Sequence, residues 1–143
     1  MIFTIRGKIP TLNEYIKAER TNRYLAAKLK QETQDALGWQ MLNGRPPTPL
    51  EVPQDLAVAF VLKDLRKDYD NVAFGLKFIQ DALVEYGWLR DDSPKYLNPP
   101  RVFFAVDKAD PRTVIRLTVA EPYAPSREAV ELLTAAEYLD RFA

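Results

Sequence analysis

The sequence predicts a single α+β domain whose elements run β-α-β-α-β-β, with an extra helix at the C-terminus. Three observations carry that expectation. Runs at 1–6, 55–63, 101–106 and 113–120 are rich in apolar and β-branched residues at strand length. Two stretches between them repeat apolar residues at helical intervals instead. The chain has 143 residues, 47% of them hydrophobic and 28% charged. That is one domain's worth, able to bury roughly two-thirds of its unfolded surface.

Each element has a local reason. Residues 1–6 alternate apolar and polar side chains and end at Pro10. Thr11-Leu12-Asn13-Glu14 fits a capping box, with Thr11 as N-cap and Glu14 three residues on. A helical region then runs to about Leu42, in one or two pieces, before the loop Asn43-Gly44-Arg45-Pro46-Pro47-Thr48-Pro49. Residues 55–63 form a buried strand. A polar turn, Asp64 to Asp70, leads into a helix over 71–86 with one apolar stripe, Val72, Leu76, Ile79, Leu83 and Tyr86. Asp70 is the expected N-cap and Gly87 the expected C′ residue. Residues 101–106 and 113–120 read as strands joined in a hairpin through Asp107–Arg112. Ser126 is placed to cap a last helix through Tyr138, stapled by Leu132, Leu133 and Leu139. The core of the domain is expected over about 1–120 and the helical extension over about 125–143.

Composition removes whole classes of chemistry. There is no cysteine, so thiolate metal sites, disulfides and thiol nucleophiles are out. There is no histidine, which removes the serine-type triad and His-ligated metals. Carboxylates, Lys, Tyr, Ser/Thr and Arg remain, and a carboxylate site prefers a hard cation such as Mg²⁺ or Mn²⁺. No apolar run reaches membrane-spanning length and the start lacks the pattern of a signal peptide, so a cytoplasmic protein with no membrane partner is expected. The net charge is zero but segregated: residues 1–46 carry a net +4 and residues 119–143 a net −3. A basic front half suits a polyanion.

The segment 68–92 carries the chemistry. Asp68 and Asp70 stand two apart where a strand gives way to a helix, and two carboxylates on one side repel unless a cation lies between them. Asp91 and Asp92 form a second acidic pair past Gly87. A helix over 71–86 is about 24 Å long, so Asp92 joins the first pair only if the following loop folds back. The bland reading of the same residues is an N-cap aspartate, a turn aspartate and a solvated loop pair.

Asp68-Tyr69-Asp70-Asn71, then Asp81-Ala82-Leu83, then Gly87-Trp88-Leu89-Arg90-Asp91-Asp92, resembles the core of the RusA family of Holliday-junction resolvases. The opening Ile9-Pro10-Thr11-Leu12-Asn13-Glu14-Tyr15 is similar to the family's N-terminal Pro/Asn turn, and Val72–Phe78 resembles its phage and bacterial branches. The likeness is specific over 68–92 and looser elsewhere in 1–120. It implies a RusA-like fold and a homodimeric, Mg²⁺- or Mn²⁺-dependent endodeoxyribonuclease that cuts four-way DNA junctions symmetrically in recombination and repair. It places the metal ligands on Asp68, Asp70 and Asp92, with Asp91 as second choice. It carries the catalytic lysine to Lys77, seven residues after Asp70, where the family has it four after.

In that reading Lys77 stabilises charge on the phosphoryl oxygens, whereas its plain role is a surface pair with Asp81, worth a few tenths of a kcal/mol. Asn71 orients an aspartate or binds phosphate. Asn13, Arg20, Arg23, Lys28, Lys30, Arg66 and Lys67 are the candidate DNA contacts, since duplex affinity comes mainly from neutralising phosphates. Tyr69 and Phe74 are candidate junction wedges, and Trp39 and Trp88 are core or interface residues. The competing expectation is a non-catalytic junction-binding or assembly protein on the same fold. A nucleotide phosphohydrolase is disfavoured because none of the five glycines cluster into a phosphate loop.

Overall fold

Period-two burial picks out the strands. The computed structural model describes residues 1–135. In it β1 (Ile2–Ile5) buries Phe3 and Ile5 and exposes Ile2 and Thr4. β2 (Gln54–Leu62) buries Gln54, Leu56, Val58 and Phe60. β3 (Arg101–Val106) turns Val102 and Phe104 to the core and Arg101 and Phe103 outward. β4 (Arg112–Val119) buries Thr113, Ile115 and Leu117. The four strands form one mixed sheet in the order β1-β4-β2-β3.

The pairing corrects the expected hairpin. β3 and β4 are not neighbours: β2 lies between them, parallel to β3 from Ala57↔Arg101 to Leu62↔Val106 and antiparallel to β4 from Gln54↔Val119 to Val61↔Arg112. The most apolar strand thus has both edges paired, which a β3–β4 hairpin would leave half open. The loop 107–111 steps across the end of β2, a gap of about 9.5 Å that five residues span easily. β1 pairs antiparallel with β4, so β1, β2 and β3 all run in one direction.

Helices cover one face of this sheet. α1 (Leu12–Thr21) starts at Thr11, whose Oγ1 accepts from the Glu14 amide at 3.3 Å, the first half of a capping box; the Glu14 carboxylate accepts from the Thr11 hydroxyl at 3.1 Å instead of from its backbone N–H. The helical region to residue 42 is in two pieces. Asn22 is extended, and its side chain accepts from the Leu25 amide at 2.8 Å to begin α2 (Arg23–Gln40). The expected helix over 71–86 is also divided, into α3 (Tyr69–Ala73) and α4 (Gly75–Glu85), and its N-cap is Asp68 rather than Asp70. Phe74 between them stays in the α region, so the stripe bends without being lost. Gly75 is pressed against Ile9 and Phe60, where a side chain would collide. Gly87 has φ +82 and ends α4 as expected.

The last helix, α5, spans Glu128–Thr134, and the end of the expected span lies outside the described residues. Ser126 Oγ accepts from the Glu128 amide at 3.3 Å, but the N-cap position falls on Arg127. Val130, Leu132 and Leu133 stay exposed instead of stapling the helix, and Tyr138 and Leu139 lie outside the described residues. Among the described residues no helix is long and apolar enough to cross a membrane.

One apolar cluster joins the sheet to the helices, with Leu56, Val58 and Ile115 from strands meeting Leu37 of α2 and Phe78, Ile79 and Leu83 of α4. Trp88 is buried within it, edge-on to Phe3 at 5.2 Å, with its Nε1 donating to the Met41 carbonyl at 2.7 Å. Trp39, by contrast, is exposed. α2 meets the end of α4 where Gly38 faces the ring of Tyr86, and a Cβ at 38 would fall 2.2 Å from that ring. The Tyr86 hydroxyl donates to Asp35 at 2.7 Å. That hydrogen bond, helped by burial and the Asp35 charge, pushes the phenol up from 10.0 to about 12.

Two outcomes follow from this contact. Gly38→Ala is expected to cost about 1–3 kcal/mol, because the new Cβ collides with a ring held in place by its hydrogen bond to Asp35, as read by urea unfolding. The Tyr86 phenol is raised in the folded state, so its contribution is complete below its unfolded value and disappears as pH climbs through about 12. Tyr86→Phe is expected to lose about 1 kcal/mol near neutrality and to flatten the alkaline decline between pH 10 and pH 12 in thermal melts.

Candidate functional site

Because β1, β2 and β3 share a direction, their C-terminal ends lie along one edge of the sheet. Ligands of open α/β sheets gather at such an edge. The chain leaves β2 there through a turn in which Asp64 Oδ1 accepts from the Arg66 amide at 3.0 Å and the Arg66 guanidinium stands 3.8 Å from the same carboxylate. Asp68 follows in extended conformation and opens α3 through its carbonyl, which accepts from the Val72 amide at 3.2 Å. Its carboxylate makes no capping hydrogen bond. Asp70 lies in the first turn of α3. Both aspartates are exposed, and among the described residues neither carboxylate has a hydrogen bond or an ion pair.

The backbone that carries them is anchored from two sides. Tyr69, between the two aspartates, sets its ring 4.6 Å from Phe104 of β3, and Phe104 stacks on Phe60 of β2 at 5.8 Å. Asn71 Oδ1 accepts from the Asn13 amide at 2.9 Å, fastening the start of α1 to α3. Asn13 and Asn71 therefore meet. The sequence singled out both, but nothing in it paired them across 58 positions. Phe74 packs edge-on against Phe78 at 5.6 Å and beside Tyr15, so it serves the core side of the helix.

Asp91 and Asp92 are held elsewhere on the chain. They are exposed on the loop that returns from α4 to the start of β3, where Asp92 lines a groove with Gln80, Pro94 and Asn98. Among the described residues no three acidic side chains form a group that could hold a metal ion. The structure thus keeps Asp68 and Asp70 together on one anchored segment and places Asp92 on a separate loop.

Lys77 faces α2. Its ammonium is 3.8 Å from Asp81, which also stands 3.6 Å from Lys30 and accepts from Gln34 at 3.3 Å. The Lys77–Asp81 pair was visible in the sequence as an i,i+4 spacing; the Lys30 and Gln34 side of the cluster was not. Of the other basic candidates, Lys28 pairs with Glu32 at 3.9 Å, Arg66 with Asp64, and Lys67 lines a cleft at the strand ends. Arg20 and Arg23 make no ion pair among the described residues. Near the same edge Lys8 lies 2.8 Å from Glu14. Burial works to raise the Glu14 carboxyl, but hydrogen bonds from Lys8 and Thr11, with the Lys8 charge, outweigh it and hold the group below its ordinary value.

Two exposed carboxylates that have no partner among the described residues, on a turn anchored by Asn71 and Tyr69, suit a hard divalent cation. Mg²⁺ is commonly held by one or two carboxylates, with water and substrate phosphate completing its shell. Asp68 and Asp70 are the residues that could hold such an ion, and the backbone beside them is fastened through Asn71 and Tyr69. Compared with family models and with curated proteins, the chain matches none.

The Asn13–Asn71 contact gives a direct test of how this turn is held. Asn71→Ala is expected to lower stability by about 1 kcal/mol and to speed hydrogen exchange at the Asn13 amide. Asn71→Asp keeps an acceptor oxygen and is expected to preserve that protection.

Proposed function

We propose that the chain is a magnesium-dependent endodeoxyribonuclease with RusA-like topology, acting as a homodimer on four-way DNA junctions in recombination and repair inside a bacterial or phage-infected cell. The observation that carries this reading is the Asp68-Tyr69-Asp70-Asn71 run, anchored at the C-terminal sheet edge with neither carboxylate engaged among the described residues. Asp68 and Asp70 would hold the ion, Mg²⁺ or Mn²⁺. When bound there, the ion supplies charge for the scissile phosphate and lowers the pKa of a bound water.

The chain's own residues then have separate tasks. Asn71, held by Asn13, keeps the α3 turn from shifting as the phosphate arrives. Arg66 and Lys67 stand on the turn just before Asp68 and contact the backbone of the cut strand, while Arg20, Arg23 and Lys28 lie on the α1–α2 surface for more distant phosphates. Asp92, with Asp91 as second choice, would complete the ligand set, in this chain or from a second subunit. Lys77 reaches the phosphoryl oxygens by leaving Asp81, and giving up an exposed pair costs little. Two subunits related by a two-fold axis place two such sites for paired cuts.

A second reading rests on one observation. Lys77 is engaged with Asp81, and Asp92 is not grouped with the other aspartates, so a junction-binding protein without nuclease activity also accounts for the arrangement. Cleavage of a synthetic four-way junction with Mg²⁺ separates the two. The nuclease reading expects symmetric nicks, and Asp70→Asn is expected to slow cutting by about a hundredfold or more with junction binding retained. Tight junction binding by the unaltered protein with no cutting in Mg²⁺ or Mn²⁺ would leave the second reading standing.

A further inference from the structure

Beside the aspartate turn, the ends of β1 and β2 and the start of β4 enclose a cleft of about 490 Å³ that the metal site does not use. Its size lies in the range of small-ligand sites, roughly 300–1,000 Å³. It brings together residues that the sequence separates by half its length. Lys8 follows β1, Lys63 and Lys67 follow β2, and Arg112 opens β4. Asp64 is the one acidic residue in the lining. Lys8 is shared with Glu14, and Arg112 with Asp107 at 3.1 Å and Asp110 at 3.5 Å. Lys63 and Lys67 make no ion pair among the described residues, so two cations are left for a ligand.

The floor is of a different kind. Half-buried Ile9 contributes apolar surface over the small exposed parts of the core residues Phe60 and Val72, and Phe60 stacks on Phe104. At the mouth, Gly7 has φ +96, and a Cβ built there would meet no atom within 4 Å, so that side is open. An inorganic anion would satisfy the lysines and leave the apolar floor bare. A purely apolar ligand would leave the lysines unmatched. A flat apolar ring joined to a phosphate satisfies both.

We propose that this cleft takes up a single unstacked nucleotide of a DNA strand, with its phosphate between Lys63 and Lys67 and its base against Ile9, Phe60 and Val72. The identity of the polymer rests on the nucleic-acid reading above; the shape and charge of the cleft do not. Lys67 adjoins Asp68 in the chain, so a nucleotide seated here sets the next phosphate of the strand beside the aspartate turn. Extruding a base is least costly where pairing is already broken, as it is at a branch point.

The test uses the full chain in EDTA, so that no cutting enters the result, with amide NMR shifts followed during titration by deoxythymidine monophosphate, thymidine and inorganic phosphate. Deoxythymidine monophosphate is expected to bind in the millimolar range and to shift Gly7, Lys63, Lys67 and Thr113. Thymidine and inorganic phosphate are expected to bind about tenfold more weakly. Lys63→Gln and Lys67→Gln, both surface changes, should each weaken the nucleotide about tenfold, the scale of a lost charged hydrogen bond. Lys95→Gln, an exposed lysine outside the cleft, should leave binding unchanged. Inorganic phosphate binding as tightly as the nucleotide would reduce the site to an anion patch and overturn the proposal, as would shifts confined to another surface. A negative result here leaves Mg²⁺-dependent cutting untouched, and a chain that fails to cut can still bind the nucleotide, so the two readings fail separately.

Discussion

Parallel pairing of β2 with β3 is the constraint on which the rest of the molecule depends. A strand that must run beside its predecessor in the same direction cannot be reached by a tight turn, so the chain has to travel back along the sheet first. The route here is α3, α4 and the loop 86–100. It begins at the C-terminal edge of β2 and ends at the N-terminal end of β3. Every candidate of the 68–92 segment lies on that return path. Asp68 and Asp70 stand at its beginning, Lys77 a turn into α4, and Asp91 and Asp92 close to its end. Their separation is a consequence of the crossover itself.

The same constraint sorts what was legible in the sequence from what was not. Strand and helix positions were legible because burial periodicity is local: Phe3 and Ile5, or Leu56, Val58 and Phe60, announce one covered face without reference to any partner. Caps at Thr11 and Gly87 were legible for the same reason. The partners were not. Two strands joined by a short polar loop look like a hairpin, and nothing in residues 101–120 says that β2 will insert between them. The need for glycine at position 75 was also hidden, because its cause is distant. Gly75 has to fit against Ile9 and Phe60, one before α1 and the other in β2. Likewise the need for glycine at position 38 comes from a ring on residue 86.

The candidate site divides along the same line. The Asp68–Asp70 spacing and the Lys77–Asp81 pair are short-range features, readable from the chain alone. The Asn13–Asn71 hydrogen bond and the Phe60–Phe104–Tyr69 stack are long-range and decide how rigid the turn is. Rigidity bears directly on chemistry, since a carboxylate pair that must receive an ion and a phosphate together loses rate when its backbone drifts by even 1 Å. Tyr69 is thus better described by what it holds than by what it exposes: its ring rests on β3 and fixes the aspartates on either side of it.

Net charge gives a poor account of how such a surface meets a polyanion. The chain sums to zero, yet the acidic excess belongs to the C-terminal segment after Val119, while basic residues crowd the first helices and the strand ends. Screening confines exposed charges to a range of about 8 Å at physiological salt. At that range a phosphate at the sheet edge senses Lys63 and Lys67 more than the sum over the chain. Lys63 and Lys67 and the two aspartates occupy neighbouring stretches of chain, opposite in sign and, among the described residues, without ion-pair partners. They are carried by a turn at Asp64 and a helix start at Asp68, so one short stretch of chain presents both signs of charge to solvent.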